Sequence, residues 1–100
     1  MAIAFVVEGA NLSQADYDQA MRAINREDPN APYPPGVIAH VAGPTENGWR
    51  VVDVWENDEA AQGFYGSELF QSMIKGLPPV SFTPWPLHRL EVYRTILQKG

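Results

Sequence analysis

The sequence predicts an α+β domain with the element order β-α-β-β-α-β, a four-stranded antiparallel sheet carrying two helices on one face. Three observations predict it. A short apolar, β-rich run opens the chain, two capped helical segments follow at intervals, and a glycine-bounded hairpin of aromatic and β-branched residues lies between them. At 100 residues the chain is expected to form one domain, residues 1–100, with no separate catalytic or regulatory module.

Ile3-Ala4-Phe5-Val6-Val7 is apolar at every position, which suits a central strand with both faces covered. Gly9 and Asn11 end it. Ser13 then reads as a helix N-cap, with Asp16 placed to complete a capping box and Leu12 placed to pack on Tyr17. Tyr17, Ala20, Met21 and Ile24 recur at helical spacing, so a helix is expected over 13–26, ending before Asp28-Pro29. The segment 29–36 holds four prolines in eight residues and reads as a stiffened loop, either a plain connector or the rim of a pocket.

Strands are expected over 37–42 and 49–56, joined by Gly43-Pro44-Thr45-Glu46-Asn47-Gly48. Asn57 should cap a second helix, with Asp58 and Glu59 in its positive first turn. Gly63 and Gly66 weaken that helix, and Ser67 can cap it anew, so a break is expected near Gly66. The last strand is placed within 86–96. In the third strand Trp49, Val51 and Trp55 point to one side and Val52 and Val54 to the other. Both faces of such a sheet are apolar. Helices cover one, and a second copy of the chain covering the other is the simplest remedy, which predicts a homodimer.

Composition narrows the function classes. Seven Lys/Arg are scattered along a chain of net charge −5, leaving no basic stripe for phosphates, so no nucleic-acid partner is expected. No cysteine is present, and the opening apolar run is too short to cross a membrane, so a cytoplasmic protein with no membrane partner is expected. There is no glycine-rich phosphate loop, no dinucleotide fingerprint, no metal-ligand spacing and no nucleophile elbow. The expectation is no cofactor and no metal. Chemistry would then rest on acid–base residues and on the substrate's own reactivity.

His40 is the candidate base. With Gly43 opposite Gly48, Ala42 faces Trp49, His40 faces Val51 and Ile38 faces Asp53, which makes Asp53 a diagonal neighbour of His40 on the same face. A carboxylate beside an imidazole fixes its tautomer and supports it as a base. The alternative is a half-buried histidine bonded to backbone or water. Trp55, Tyr65 and Tyr17 are candidate pocket walls or proton donors, and equally candidate core or interface aromatics. His88, at the expected start of the last strand, is a candidate substrate-binding or interface residue.

The run His40-Val41-Ala42-Gly43-Pro44, followed by Gly48-Trp49-Arg50-Val51-Val52-Asp53-Val54-Trp55-Glu56, resembles the strand-hairpin-strand core of the dimeric α+β barrel superfamily. Within it, the resemblance is to antibiotic-biosynthesis-monooxygenase-like domains, in element order over most of the chain and in residues over 36–65 and around Pro86-Leu87-His88. It implies a ferredoxin-like protomer whose sheet faces that of a second subunit. That superfamily includes cofactor-independent monooxygenases, polyketide cyclases, haem-degrading oxygenases and members without known activity. Haem-degrading members carry an iron-ligating histidine on the second helix, and this chain has none between Asn57 and Lys75. The implied function is a cofactor-independent enzyme acting on a small aromatic or polyketide-like compound, by oxygenation or by cyclisation or isomerisation. His40 would be its base and Asp53 its orienting group, with Trp55, Tyr65, Tyr17 and His88 around the ligand. The competing reading is a non-catalytic dimeric ligand-binding or accessory protein.

Overall fold

A computed structural model describes residues 1–93 of the chain. The elements run β1 (Ile3–Gly9), α1 (Gln14–Ala23), β2 (Val37–Pro44), β3 (Trp49–Trp55), α2 (Asp58–Tyr65), α3 (Glu68–Lys75) and β4 (Ser81–Pro86). The four strands form one antiparallel sheet in the order β2-β3-β1-β4, a ferredoxin-like α+β arrangement. The apolar opening run is accordingly a central strand, hydrogen-bonded to β3 on one side and β4 on the other.

Each helix starts where its cap dictates. The Ser13 side chain accepts from the Asp16 amide while Asp16 accepts from the Ser13 amide, both at 3.1 Å, closing the capping box. Asn57 accepts from the Ala60 amide and Ser67 from the Phe70 amide. The expected break at Gly66 is present, so the second helical segment is two short helices. α1 ends earlier than the proline signal suggested. Asn25 takes φ 61°, the left-handed region, and its amide bonds to the Arg22 carbonyl while the Arg26 amide bonds to the Met21 carbonyl at 2.7 Å. That is a Schellman stop, and it ends the helix before Asp28-Pro29 is reached.

The last strand is also displaced from its expected place. It spans Ser81–Pro86, ahead of the 86–96 window, whose residues 94–96 lie outside those described. The strand carries two prolines, Pro84 and Pro86. β4 is an edge strand, though, pairing with β1 alone, and an edge tolerates prolines whose missing amide would have faced outward.

In the hairpin β2 runs on through Pro44, and the turn is Thr45 to Gly48, with the Thr45 amide on the Gly48 carbonyl at 3.0 Å. Gly48 is required there, since a Cβ would collide with the Gly9 carbonyl oxygen and the Ala10 backbone. The pairing is therefore shifted by two residues from the expected register. His40 stands directly opposite Asp53, Ala42 opposite Val51 and Pro44 opposite Trp49. A two-residue slip preserves the face, so the grouping survives while the neighbours change. A bulge between Val37 and Ala39 takes Ile38 out of the regular ladder and puts Val37 and His40 on the same face.

The helices lie on one face, packing Ala61, Tyr65 and Phe70 against Phe5 and Trp55, the last only 1% exposed, while Ala20 and Ile24 are the buried residues of the α1 segment. The opposite face presents Val6, Val52, Val54, Val41 and Trp85 in register, with Val41 62% and Trp85 56% exposed.

Candidate active site

On the helix-covered face, alternation along β3 places Trp49, Val51, Asp53 and Trp55 in one row, with His40 entering from β2 beside Asp53. Asp53 is the one buried charged residue among the described residues, 8% exposed. Such a carboxylate needs donors at both oxygens, and it has them. His40 Nδ1 lies 2.6 Å from Oδ1, and the Tyr65 hydroxyl donates to Oδ2 at 2.8 Å. The Trp55 indole N–H donates in turn to the Tyr65 oxygen at 3.1 Å.

This pattern fixes the histidine. An ionised carboxylate only accepts, so Nδ1 carries the proton and Nε2 presents its lone pair. That lone pair meets the Tyr17 hydroxyl at 2.6 Å, reached from α1 across the mouth of the sheet–helix gap. The result is one chain of hydrogen bonds, Tyr17–His40–Asp53–Tyr65–Trp55, drawn from α1, β2, β3 and α2. Burial raises both tyrosine pKa values above the ordinary value, and the negative charge of Asp53 raises both further. Both phenols therefore stay protonated at neutral pH and act as donors, Tyr17 to His40 Nε2 and Tyr65 to Asp53.

The cluster forms one wall of a cavity of about 560 Å³ between the sheet and the helices. Its other walls are mostly apolar, including Val7, Met21, Phe64, Phe70 and Met73, with Asp18, Arg26 and Glu27 as further charged members of the lining. That volume and lining suit a drug-sized, largely apolar ligand. Tyr33 and Pro34 border it, so the proline-rich loop does form part of its rim. Trp49 packs on Tyr17 with ring centroids 5.4 Å apart and planes tilted by 34°, and its indole nitrogen is buried without a hydrogen-bond partner among the described residues.

Of the six residues singled out from sequence, Tyr17, His40, Asp53, Trp55 and Tyr65 all belong to the chain of hydrogen bonds and line the cavity. His88 does not. It is exposed, beyond the end of β4 and outside the cavity lining, because the strand it was expected to begin has already ended. Tyr65, read as a wall, is in addition the second donor to Asp53. Its place was open to deduction: Ala61 and Tyr65 lie one helical turn apart on the face that packs on the sheet, where a hydroxyl must find a partner. No group of three or more His, Cys, Asp or Glu capable of holding a metal occurs among the described residues. Nor is any of their helices long and apolar enough to cross a membrane.

No protein-family model matches the sequence, and no curated protein matches it. Solved structures do match. SnoaB from Streptomyces nogalater, a cofactor-independent oxygenase solved as a mutant, aligns with TM-score 0.65 at 12% identity over 89% of this chain and 95% of that one. A candidate antibiotic biosynthesis monooxygenase from Deinococcus radiodurans aligns with TM-score 0.64 at 10% identity, over 95% of this chain and all of that one. Another from Caulobacter crescentus gives 0.64 at 13%, over 90% and 91%. The chain thus has the fold of structures of the antibiotic-biosynthesis-monooxygenase type, as the hairpin residues implied. At these identities the likeness is one of fold.

Proposed function

We propose that this chain is a cytoplasmic small-molecule enzyme that works without a bound cofactor, using His40 to deprotonate an aromatic or polyketide-like substrate held in the sheet–helix cavity. One observation carries the reading: the imidazole lone pair, fixed by a buried carboxylate, meets the hydroxyl of Tyr17 on the wall of an apolar cavity. The ligand proton, from a phenolic hydroxyl or from a carbon beside a ketone, passes to the Tyr17 oxygen as Tyr17 gives its own proton to Nε2. The imidazolium so formed sits against the Asp53 carboxylate, which compensates its charge. The resulting phenolate or enolate is then open to dioxygen, giving oxygenation, or to an internal electrophile, giving cyclisation or isomerisation. The likeness in fold to a cofactor-independent oxygenase supports the first of these outcomes.

Deprotonation is common to all three outcomes and is the step to test. Naphthols and aryl ketones incubated with the protein in deuterium oxide should exchange their acidic ring or α-carbon protons, followed by NMR. His40→Ala should abolish the protein-dependent part of that exchange. Exchange that is absent, or equal in wild type and His40→Ala, would remove catalysis from this site and favour a binding protein.

The same proposal includes a homodimer. The sheet face away from the helices is apolar and exposed at Val41 and Trp85, and a second copy laid on it removes that surface from water. Sedimentation at micromolar concentration should give twice the chain mass, and Trp85→Glu should shift it towards monomer. A stable wild-type monomer would overturn this part.

A further inference from the structure

Among the described residues, Arg26 is the one Lys or Arg in the cavity lining, at the opposite end of α1 from the capping box. Its backbone is fixed by the Schellman stop, through the amide bond to the Met21 carbonyl. Its side chain is fixed as well. One guanidinium nitrogen donates to the Pro32 carbonyl at 3.0 Å, and the guanidinium carbon lies 5.2 Å from the centre of the Tyr33 ring. The neighbouring carboxylate, Glu27, is engaged by Arg22 at 3.8 Å. Among the described residues no carboxylate lies within ion-pairing distance of Arg26. A guanidinium has five donors in a planar fork, and this one has spent one of them on the protein.

We infer that Arg26 is a ligand-binding residue that takes the carboxylate of an acidic aromatic substrate, with the substrate's reacting end placed at Tyr17 and His40. This rests on the proposed function and narrows its substrate class. Helical rise separates the Tyr17 turn from the α1 stop at Ile24 by roughly 10 Å. That span fits an elongated fused-ring acid lying along the cavity, its apolar body against the aliphatic and aromatic walls. Among the described residues the other charged groups of the lining are Asp18, Glu27 and Asp53, all acidic; Glu27 is engaged by Arg22, whereas Asp18 and Asp53 stand at the Tyr17–His40 end, so a ligand carboxylate is drawn to Arg26 and turned away from His40. One orientation follows from that asymmetry.

The test is calorimetric titration with hydroxynaphthoic acid, its primary amide and naphthol, using wild type, Arg26→Gln, Arg26→Lys and His40→Ala. Wild type should bind the acid about tenfold or more tightly than the amide, as one charge-assisted fork contact requires. Arg26→Gln should bind the two alike, Arg26→Lys should keep part of the preference, and naphthol should bind wild type and Arg26→Gln equally. Equal affinity for acid and amide in wild type, or a preference that persists in Arg26→Gln, overturns the assignment of Arg26. In those cases naphthol binding that still depends on His40 leaves the proposed function standing. If none of the three ligands binds, both readings fall.

Discussion

Replacing Asp53 by asparagine tests the central feature of the site, because two donors converge on a side chain that would then hold a single acceptor. Asp53 receives His40 Nδ1–H on one oxygen and the Tyr65 hydroxyl on the other. If the asparagine amide faces Tyr65, that hydroxyl loses its acceptor, while its oxygen already takes the Trp55 N–H. Leaving a buried hydroxyl unpaired costs about 1–3 kcal/mol. If the amide faces His40 instead, the imidazole can satisfy it only by moving its proton to Nε2. The second arrangement wins, and it inverts the tautomer, turning the basic lone pair away from Tyr17. The wrong tautomer then dominates by roughly 10- to 100-fold, and loss of the carboxylate beside the imidazolium costs about 1.5–3 kcal/mol more. Together these predict a fall of roughly 10²–10⁴ in the rate of ligand proton exchange. Circular dichroism should be unchanged, and nitrogen chemical shifts of His40 should report protonated Nε2 in place of protonated Nδ1. A variant that keeps the Nδ1–H tautomer and exchanges within about threefold of wild type would refute the reasoning.

Tyr17→Phe removes the hydroxyl that meets His40 Nε2 while keeping the ring that packs on Trp49. Exchange should fall about tenfold or more, with stability lowered by only about 1 kcal/mol; faster exchange would show that Tyr17 blocks His40 instead of serving it. The two tryptophans should differ on denaturant melting. Trp55→Phe loses a bonded indole in the tightest part of the core and should cost about 2–3 kcal/mol, whereas Trp49→Phe loses an unpaired N–H and should cost about 1 kcal/mol or less. Alkaline pH should destabilise the fold through its tyrosines. Tyr17 and Tyr65 have folded pKa values raised above about 10, so their contribution is fully present below that pH and is lost as pH rises beyond it. Urea melts between about pH 9 and 11.5 should show this decline, and Tyr65→Phe should flatten it.

The parts of the fold that sequence made legible are those set by local rules. Caps at Ser13, Asn57 and Ser67 and the break at Gly66 depend on near neighbours, and each lies where its residues place it. Tertiary context decided the rest. Nothing local says that β4 is an edge strand and so can hold Pro84 and Pro86, or that Asn25 adopts a left-handed backbone ahead of the proline signal. The site was legible because a strand's two-residue period assigns faces even when the register is misjudged. His40 and Asp53 share a face under either pairing, and only their distance depends on which holds. The placement of His88 lacked that protection: it was expected at the start of a strand, and the strand ends at Pro86.

A buried polar cluster in so small a domain needs a reason, since the same space filled with apolar side chains would hold the fold together at least as well. Here the inner end of the cluster is closed: Trp55 donates to Tyr65, Tyr65 to Asp53, and both carboxylate oxygens are occupied. A purely structural cluster would end as fully at its other terminus, on backbone or in the core. This one ends at Tyr17, a phenol from a different element that lines a cavity and stands on the lone pair of the His40 imidazole. The closed end fixes the Asp53 carboxylate in place, and through it the orientation of the His40 ring. The open end puts that imidazole one hydroxyl away from a ligand-sized space. Rigidity at one terminus and access at the other is the asymmetry that proton transfer requires and that packing alone does not.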